Sequence, residues 1–434
     1  MKKIFASFAS EIVHEGIINI IQKGAELGEL TAGVLTDKAI ASYKRVPLLD
    51  FDTRKMIYSN LKGVANVVQQ DALFCEDLLR EIKPDYVIHG DDWRTGLQTK
   101  VRQSVIDTIS EWGGKLIEVP YTKTNSASSF VSEYTGNASS PDARRSALKK
   151  ILQLKPGAIA LEASNGLSGL IVENACIENE QNGTRKEFDA MWVSSLCDSS
   201  FKGKPDNELV DFTSRIDTIN EIMEVTTKPI ILDGDTGGKI EHFASNIRTL
   251  ERMGVSAIII EDKTGLKQNS LYGTSVEQLQ EDPHVFAQKI LCGKKAQKTR
   301  DFLIIARIES LIADKGIEDA LMRARVYIEE GAADGIMIHS RHKDGSEISK
   351  FLTKFRSEYT DVPVVLVPTS YNHFTETELF EMGANVIIYA NHLLRSAYPA
   401  MNNTAKSILK YGRSKEVDSI CMPIKEVISF IPSK

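Results

Sequence analysis

The sequence predicts an α/β protein in which a Rossmann-like domain precedes a C-terminal (β/α)8 barrel. Two observations predict this architecture. Short apolar runs typical of buried strands alternate with helical patterns along most of the 434 residues, and this alternation is typical of parallel sheets covered by helices. Eight strand and helix units follow residue 155, and eight units in roughly 280 residues match the size of a (β/α)8 barrel.

The composition is that of an ordinary globular protein and argues against several classes of protein. The 53 Lys and Arg against 59 Asp and Glu give a net charge of −6, so no nucleic-acid partner is expected, because such partners need a basic surface. The five cysteines form no CxxC pair, which disfavours structural zinc or a disulfide framework and favours a reducing compartment. Without a run of 18 apolar residues, no membrane span is expected. The expected location is cytoplasmic.

The first 138 residues are predicted to form the Rossmann-like domain. Its expected strands are KKIFASF, LTAGVLT, ANVVQQ, DYVIHG and KLIEVPY. The helical patterns between them are HEGIINIIQKGAELG, which Gly28 closes, then TRKMIYSNLKG, DLLREI and VRQSVIDTISEWGG. A stretch rich in Ser, Asn and Gly follows and predicts a linker, with a boundary near Ser139–Asp142. Residues 139–154 are therefore the linker and the leading helix ARRSALKKILQL.

Residues 155–434 are predicted to form the barrel. Its expected strands are AIALEAS, DAMWVSS, PIILDGD, AIIIEDK, FLIIARIE, GIMIHS, PVVLVPT and NVIIYAN. Five consecutive strands end in hydroxyl or ionisable side chains, namely Ser194, Ser195, Asp233, Asp235, Glu261, Asp262, Arg307, Glu309 and His339. Active sites of such barrels lie at the carboxyl ends of the strands. The pattern therefore predicts an active site at this rim, although polarity returns at the end of any single strand.

The acidic residues at this rim predict a metal site. Asp233 and Asp235 are two residues apart at a strand end, so their side chains leave the strand on one face. Their mutual repulsion favours a bound cation, and Glu261 can add a third carboxylate. Oxygen ligands without His or Cys favour Mg²⁺. The alternative is that the aspartates cap the Gly-rich loop that follows.

Basic residues at the rim and a polar loop predict an anionic substrate beneath a lid. Arg307 and His339 suit a phosphate or a carboxylate, which arginine binds through two hydrogen bonds; alternatively, His339 is a core histidine. The loop EDKTGLKQNS carries Lys263, Lys267, Asn269 and Ser270 after a buried strand. Such a loop over a metal site is typical of a lid that excludes water, and the alternative is a solvated loop.

EDKTGLKQNS resembles the EDKxxxxxNS signature of the phosphoenolpyruvate mutases of the isocitrate lyase superfamily. MWVSSL, LDGDTGG, IIARIES and GIMIHS occur in the family order, and the resemblance covers about residues 155–410. It implies Mg²⁺-dependent interconversion of phosphoenolpyruvate and 3-phosphonopyruvate, the first step of phosphonate biosynthesis. Phosphonopyruvate hydrolase, found among relatives that differ in the lid loop, is the alternative. The loop lacks the cysteine of the related lyases, which argues against C–C bond cleavage.

The resemblance also implies roles for individual residues. Asp233 would bind Mg²⁺ directly, with Asp235 and Glu261 supporting it through water. The residues that would contact or close over the transferring phosphoryl group are Asp206, Lys267, Asn269, Ser270, Arg307 and His339. The segment that would bind the pyruvyl carboxylate is Ser194, Ser195 and Leu196, where Ser195 replaces the glycine of some members. Trp192 would form an aromatic wall of the pocket, or else belong to the core.

The N-terminal domain resembles the cytidylyltransferases, which carry an HxGH motif after the first strand, and this resemblance implies CTP as a cofactor. The positions matching the family are His14, Lys44, Arg54, Asp91, Asp92 and Trp93, and NSASSFV stands in place of an ISSTxL-like string. Ile17 replaces the second histidine, and Glu15 adds a negative charge beside the phosphate path. The domain is therefore either a CTP:phosphonate cytidylyltransferase or a degenerate module that is kept for ligand binding or for assembly of the protein.

The resemblance further implies partners. Isomerisation toward phosphonopyruvate is expected to be uphill, so a downstream enzyme that consumes phosphonopyruvate is expected. The barrel is expected to form a homo-oligomer, a dimer or a tetramer, by exchanging its last helix.

Overall fold

The computed structural model describes residues 1–120, 140–179, 184–264 and 267–430. The Ser-, Asn- and Gly-rich stretch with its NSASSFV string falls on residues 121–139, outside the described residues, as does the middle of the predicted lid at 265–266. Of the predicted linker and leading helix at 139–154, residues 140–154 are described. The chain forms two compact units, Met1–Tyr389 and Ala390–Lys434. The two predicted domains lie largely in the first unit, and their limits at 138 and 155 stay predictions.

The N-terminal domain is a five-stranded parallel sheet with strand order β3-β2-β1-β4-β5. All five predicted strands are present, and their bounds are β1 (Lys3–Phe8), β2 (Glu29–Leu35), β3 (Asn66–Gln70), β4 (Tyr86–Gly90) and β5 (Lys115–Val119). The helices are α1 (Glu15–Leu27), α2 (Asp37–Ala41), α3 (Phe51–Ser59), α4 (Glu76–Ile82) and α5 (Thr99–Ser110). Short 3₁₀ segments occupy Asp91–Arg94 and Gly96–Gln98. The short helix α2 was not predicted.

The side chains of β1 point alternately to the two faces of the sheet, and both faces are covered. Ile4, Ala6 and Phe8 point to one face, where they pack with Ile17 and Ile21 of α1. The intervening side chains point to the opposite face, because strands have a period of two. The sheet is therefore buried on both sides, as predicted for a Rossmann-like domain.

The second domain is a closed parallel barrel with strand order β10-β11-β12-β13-β14-β15-β6-β9. Its strands are β6 (Ala158–Glu162), β9 (Ala190–Val193), β10 (Ile230–Asp233), β11 (Ala257–Glu261), β12 (Leu303–Ile308), β13 (Gly335–Ile338), β14 (Val364–Leu366) and β15 (Val386–Tyr389). The helices are α6 (Pro141–Leu154), α7 (Gly166–Asn174), α8 (Ser195–Phe201), α9 (Phe212–Met223), α10 (Ile240–Met253), α11 (Pro283–Ala296), α12 (Gly316–Glu329), α13 (Ser346–Glu358) and α14 (Glu376–Glu381). A 3₁₀ segment occupies Ser270–Ser275. The predicted eight-stranded barrel is confirmed.

An antiparallel hairpin between α7 and β9 was not predicted. It consists of β7 (Cys176–Asn179) and β8 (Thr184–Glu187). Glu187 at its end accepts a 2.8 Å hydrogen bond from Arg45 Nε of the N-terminal domain, and Arg45 Nη1 also bonds Glu173 at 2.8 Å. These contacts lie near the amino ends of the barrel strands. They therefore attach the N-terminal domain at the end of the barrel opposite the predicted active-site rim.

The second unit consists of helices and exposes apolar side chains. It contains α15 (His392–Tyr411), a 3₁₀ segment at Lys415–Val417 and α16 (Ile424–Ser429). Tyr398, Met401 and Ile408 occur at helical spacing along α15 and are exposed. Within the described ranges, no helix is long and apolar enough to cross a membrane.

Candidate active site

The barrel brings the predicted polar residues together at one rim. Strands β9 to β13 are consecutive neighbours in the barrel, and parallel strands present their carboxyl ends at the same edge. The predicted residues at these ends are Ser194, Ser195, Asp233, Asp235, Glu261, Arg307 and His339. Burial raises the electrostatic effect of charges at such a site, since water is largely excluded.

Asp233 is held by the segment after β9. Its Oδ2 accepts hydrogen bonds from the Ser195 amide at 3.2 Å and from Ser195 Oγ at 2.9 Å. Burial alone would favour the neutral acid, but the charges of Lys267 and Arg307 outweigh it and hold the pKa of Asp233 below its usual range. Asp233 is therefore an ionised carboxylate with a fixed orientation. The serine in place of glycine at 195 adds a hydroxyl donor to the amide donor.

Asp235 lies at the centre of the buried charges. Its backbone φ is +52°, a left-handed conformation that is uncommon outside glycine. Its carboxylate accepts a 2.6 Å hydrogen bond from Arg215 Nη1 and also bonds the Lys267 ammonium. Its backbone oxygen accepts a 2.8 Å hydrogen bond from the Glu261 amide. Asp235 thus connects the ends of β10 and β11 with the lid.

The described part of the predicted lid lies over Asp206. Lys267 Nζ is 3.2 Å from Asp206 Oδ1, and Asn269 Nδ2 donates to Asp206 Oδ2 at 2.6 Å. Lys267 also donates to Ser195 Oγ at 2.7 Å. Burial opposes its charge, but the surrounding carboxylates raise the pKa of Lys267 above its usual range. Two lid residues therefore converge on the loop aspartate that the resemblance singled out.

A second charged group links the lid to β12. Ser270 Oγ donates to Glu309 Oε2 at 2.6 Å and accepts from Arg307 Nη2 at 2.6 Å and from Lys263 Nζ at 2.7 Å. Arg307 Nε donates to Glu309 Oε1 at 2.6 Å, and Arg307 Nη2 is 3.2 Å from Glu261. Ser270 is therefore the point at which the lid contacts the arginine of the rim.

Glu261 is the most unusual carboxylate of the site. It is fully buried, and in the described part of the chain neither of its oxygens accepts a hydrogen bond. Burial dominates over the attraction of Arg307 and raises the pKa of Glu261 to about 7. Glu261 is paired with Arg307 at 3.2 Å, but a buried carboxylate that accepts no hydrogen bond is costly, so it is suited to a ligand rather than to packing.

The donor set fits Mg²⁺, although the carboxylates are not arranged as a ready three-ligand group. Among the described residues, no cluster of three His, Cys, Asp or Glu side chains is positioned to hold a metal ion. Lys267 pairs with both Asp206 and Asp235, and Arg215 also pairs with Asp235. Ionised Asp233 and the Glu261 oxygens, which accept no hydrogen bond from the described residues, remain as oxygen donors of the kind that Mg²⁺ prefers. These two residues, with Asp235 in support, are the ones that would hold the ion.

His339 is a neutral imidazole inside the rim. Burial and the charge of Arg307 lower the pKa of His339 to about 3. Its Nε2 atom has no hydrogen-bond partner among the residues that the structure describes. A neutral imidazole has one donor and one acceptor nitrogen, so His339 suits hydrogen bonding to a substrate oxygen better than charge pairing.

The remaining predicted pocket residues differ in how closely they belong to the charged group. Ser194 caps α8 by accepting the Cys197 amide at 3.4 Å. Trp192 lies on β9 and is buried, and its indole nitrogen has no hydrogen-bond partner in the described ranges. Leu196 lies in the first turn of α8 and is partly buried. Trp192 and Leu196 are the apolar members of the predicted pocket.

Two residues of this charged group were missing from the predicted site. Glu309 is predicted only as a strand-end residue, and it bonds Arg307 and Ser270. Arg215, on α9, is not among the predicted residues. A signal was present, because Arg215 shares the buried face of its helix with Ile219 and Ile222. Arginine is seldom buried without a partner, so a charge at a core position of an amphipathic helix indicates a buried acid nearby.

The predicted nucleotide residues lie at the carboxyl edge of the N-terminal sheet. His14 follows β1, and Asp91, Asp92 and Trp93 follow the adjacent strand β4. Lys44 follows α2 and is exposed, with its ammonium 5.6 Å from the Tyr43 ring centroid. The chain reverses its direction of strand addition between β1 and β4, and open α/β sheets bind ligands at such a point. The edge is therefore the part of the sheet at which open α/β domains bind ligands.

The side chains at this edge are largely used within the domain. His14 Nδ1 accepts the Gly16 amide at 3.2 Å and so caps α1. Ile17, at the place of the second motif histidine, is buried in the core. Arg54 is buried and donates to the Leu35 carbonyl at 2.7 Å and to Asp37 at 2.6 Å. These contacts favour structural roles for the three residues.

Trp93 and an adjacent cavity complete this edge. Trp93 stacks on His89 with ring centroids 3.7 Å apart, and its Nε1 donates to Glu118 at 2.9 Å. The cavity has a volume of about 90 Å³ and is lined mainly by apolar and aromatic side chains, including Phe5, Val87 and Trp93. Its described lining includes no lysine or arginine. It is unsuited to a phosphonate anion, which needs such cations.

Two family models match the chain, one on the barrel and one on the N-terminal domain. Residues 148–409 match the family model described as phosphoenolpyruvate phosphomutase, and residues 11–134 match the model described as cytidylyltransferase-like. A phosphoenolpyruvate phosphomutase of Tetrahymena pyriformis is 34% identical over 282 residues, covering 64% of this chain and 88% of that protein. A phosphonopyruvate hydrolase of Variovorax sp. (strain Pal2) is 33% identical over 273 residues, covering 62% of this chain and 91% of that protein.

Solved structures have the same two activities in their names. The phosphoenolpyruvate phosphomutase of Streptomyces platensis subsp. rosaceus superposes with a TM-score of 0.58 at 30% identity, covering 65% of this chain and 93% of that chain. A phosphonopyruvate hydrolase in complex with oxalate and Mg²⁺ superposes with a TM-score of 0.54 at 32% identity, covering 63% and 89%.

Proposed function

The chain belongs to the phosphoenolpyruvate phosphomutase family, and on this premise we propose that it interconverts phosphoenolpyruvate and 3-phosphonopyruvate. The observation that carries the proposal is the lid. Lys267 and Asn269 both contact Asp206, and Ser270 contacts Arg307. An intramolecular phosphoryl shift needs the migrating group to be enclosed, because free water would capture it.

The proposed roles follow from charge and position. A loose phosphoryl-transfer transition state needs mainly positioning and charge stabilisation. Arg307 and Lys267 supply fixed positive charge, and neutral His339 supplies a hydrogen bond. Asp206 stands where the family places the carboxylate beside the migrating group, and Asn269 and Lys267 hold its two oxygens. Ser195, whose amide and hydroxyl donate to Asp233 in this structure, is proposed to form with Ser194 and Leu196 the segment that orients the pyruvyl carboxylate.

Mg²⁺ is proposed as the cofactor, held by Asp233 with Glu261 and Asp235 in support. Bound there, it would stabilise negative charge on the substrate oxygens. The acidic donor set and the unpartnered oxygens of Glu261 support this proposal, as does the Mg²⁺ complex of the related hydrolase. The place of this reaction as the first step of phosphonate biosynthesis belongs to the same proposal.

Phosphonopyruvate hydrolysis is the competing activity, since a hydrolase is among the similar proteins. A single ³¹P NMR experiment with phosphonopyruvate and Mg²⁺ separates the two. Conversion to phosphoenolpyruvate supports the mutase, whereas direct release of inorganic phosphate supports the hydrolase. The buried lid residues Lys267 and Ser270 favour the mutase, because they leave little room for water.

Asn269→Ala is expected to lower mutase turnover about tenfold to a hundredfold. The substitution removes the 2.6 Å hydrogen bond to Asp206, and hydrogen bonds to charged groups contribute about 1.5–3 kcal/mol. Turnover is measured by ³¹P NMR, with inorganic phosphate followed in the same spectra. The control is Asn174→Ala, which removes a local bond to Leu170 on α7. Unchanged mutase turnover in the Asn269 variant would refute the proposed role of the lid.

We propose that the N-terminal domain has lost nucleotidyl transfer and acts as a binding or assembly module. The burial of Ile17 and the internal hydrogen bonds of His14 and Arg54 support this. The test is an assay with CTP and 2-aminoethylphosphonate or 2-hydroxyethylphosphonate. Pyrophosphate release would overturn the proposal and indicate an active cytidylyltransferase. Thermal stabilisation by CTP without turnover would indicate a nucleotide-binding module.

A homo-oligomer, a downstream enzyme that consumes phosphonopyruvate and a cytoplasmic location complete the proposed function. The exposed apolar residues of α15, including Tyr398 and Met401, support assembly through the last helix. Native mass spectrometry tests this part, and a dimer or tetramer is expected. A strictly monomeric protein at micromolar concentration would argue against it.

A further inference from the structure

Arg215 connects three parts of the active-site rim although it lies on a helix outside the barrel. It is about 4% exposed. Its Nη1 donates to Asp235 Oδ2 at 2.6 Å, and its Nη2 donates to the backbone oxygen of Val193, at the end of β9, at 3.3 Å. Its Nε lies 3.8 Å from Asp198 Oδ2. The guanidinium thus joins the end of β9 and helix α8 to Asp235, the second residue after β10.

The residue that Arg215 holds is strained and central. Asp235 has its φ at +52°, and a non-glycine residue keeps such a conformation only when its surroundings hold it there. The amide of Asp235 donates to Asp233 Oδ1 at 3.2 Å, and its carbonyl accepts the Glu261 amide at 2.8 Å. The positions of both proposed metal-holding carboxylates therefore depend on how Asp235 is held.

The pairing also divides the carboxylate of Asp235 between two cations. One oxygen bonds Arg215, and the other bonds the Lys267 ammonium of the lid. Without Arg215, Asp235 Oδ2 would lose its 2.6 Å hydrogen bond, and the bond from Lys267 would remain on Oδ1. Arg215 contacts the site from the helix side, so it does not need to touch the substrate.

We propose that Arg215 is a positioning residue that fixes Asp235, and through it Glu261 and Lys267, for catalysis. The expected effect of Arg215 on kcat rests on the proposed function. Its expected effect on the position of Asp235 does not depend on the reaction. Loss of the contact between Arg215 and Asp235 should lower kcat and leave KM nearly unchanged, because the groups that would bind substrate remain.

The test compares Arg215→Met and Arg215→Lys in the full-length chain with Arg145→Met. Arg145 is a similarly buried arginine that bonds the Glu251 backbone oxygen at 3.2 Å, away from the rim. We expect Arg215→Met to lower kcat at least tenfold with KM changed less than threefold. Arg215→Lys should recover part of kcat, since a lysine can still pair with Asp235. Arg145→Met should lower stability without lowering kcat.

Amide hydrogen exchange tests the contact between Arg215 and Asp235 independently of enzymatic activity. The Glu261 amide, which bonds Asp235, should exchange at least tenfold faster in Arg215→Met relative to the amides of β14, and no such change should occur in Arg145→Met. Unchanged kcat would overturn the proposal, as would a kcat loss without faster Glu261 exchange. A wild-type protein that neither isomerises nor hydrolyses phosphonopyruvate would refute the proposed function, and the exchange result would still decide the role of Arg215.

Discussion

Replacing Arg307 by methionine is expected to lower kcat/KM by about 10³-fold or more, the effect of removing an arginine that stabilises phosphoryl transfer. Arg307 is partly buried, and its guanidinium contacts Glu309, Glu261 and Ser270. Burial opposes the charge, but Glu309 and Glu261 raise the pKa of Arg307 above its usual range, so the group stays charged. Its loss removes both the fixed charge and the contact with the lid.

Arg307→Lys separates these two contributions. Lysine keeps the charge but lacks the planar fork of donors that spans two partners. We expect this variant to be intermediate, with kcat/KM lowered about a hundredfold. Rates are measured by ³¹P NMR or by a coupled assay of phosphoenolpyruvate. Near wild-type kcat/KM in a folded Arg307→Met protein would exclude the arginine from catalysis.

Arg356→Lys is the matched control for Arg307→Lys. Arg356 donates to the backbone oxygens of Val362 and Gly383 and is not part of the rim. Its replacement should lower the unfolding temperature and leave kcat/KM within about twofold of the wild-type value, as expected for a change away from the site. An equal kinetic loss in both lysine variants would indicate a general effect on folding.

Glu261→Gln is expected to change activity and stability in opposite directions. The neutral amide cannot replace a carboxylate that supports a metal ion, and loss of such support typically costs 10–100-fold in metal affinity or activity. The metal-free protein should nevertheless become more stable above neutral pH, because the substitution removes a buried charge whose oxygens have no hydrogen-bond partner within the described residues.

The sign of the pH dependence follows from the raised pKa. The folded-state pKa of Glu261 is about 7, against 4.5 for the ordinary side chain. Below pH 4.5 both states are protonated, and Glu261 has no effect on stability. Between pH 4.5 and 7 the unfolded chain loses its proton first, so the free energy of unfolding decreases as the pH rises. The decrease reaches about 3 kcal/mol above pH 7.

Urea unfolding of the metal-free protein at pH 4.5 and pH 8 measures this effect. Glu261→Gln should match the wild type at pH 4.5 and exceed its unfolding free energy at pH 8. Mg²⁺ should raise the unfolding temperature of the wild type more than that of the variant. Glu251→Gln is the control, because Glu251 is buried but accepts the Lys298 amide at 2.8 Å; it should lose stability. A less stable Glu261→Gln protein at pH 8 would contradict the prediction.

Much of the barrel site could be predicted because most of its residues lie at the ends of strands that can be recognised in the sequence. Asp233, Glu261, Arg307 and His339 each follow an apolar strand, and parallel strands end at one rim whatever the details of packing. The lid string lies next to β11 in sequence, so its position over the rim also follows. By contrast, the β7–β8 hairpin has too little apolar pattern to be predicted.

The N-terminal domain shows the limits of motif matching. Its five strands follow from the alternation of strands and helices, whereas their order in the sheet comes only from the structure. The contacts of individual motif residues cannot be predicted in this way, because they depend on burial. Arg54 matches a basic family position but bonds Leu35 and Asp37 inside the domain. The motif departure at Ile17 was visible in the sequence, and its packing with Ile4 and Phe8 explains it physically.

The sequence by itself determined the class of fold, the strands along the chain and the polar residues available at the barrel rim, because these depend on periodicity along the chain. Only the tertiary structure decided how the charges are paired. Arg215 reaches Asp235 from a helix 20 residues away, and Lys267 lies between Asp206 and Asp235. Protonation of Glu261 and His339 was decided at the same level, since burial and neighbouring charge set a pKa, and both arise only when distant segments pack together.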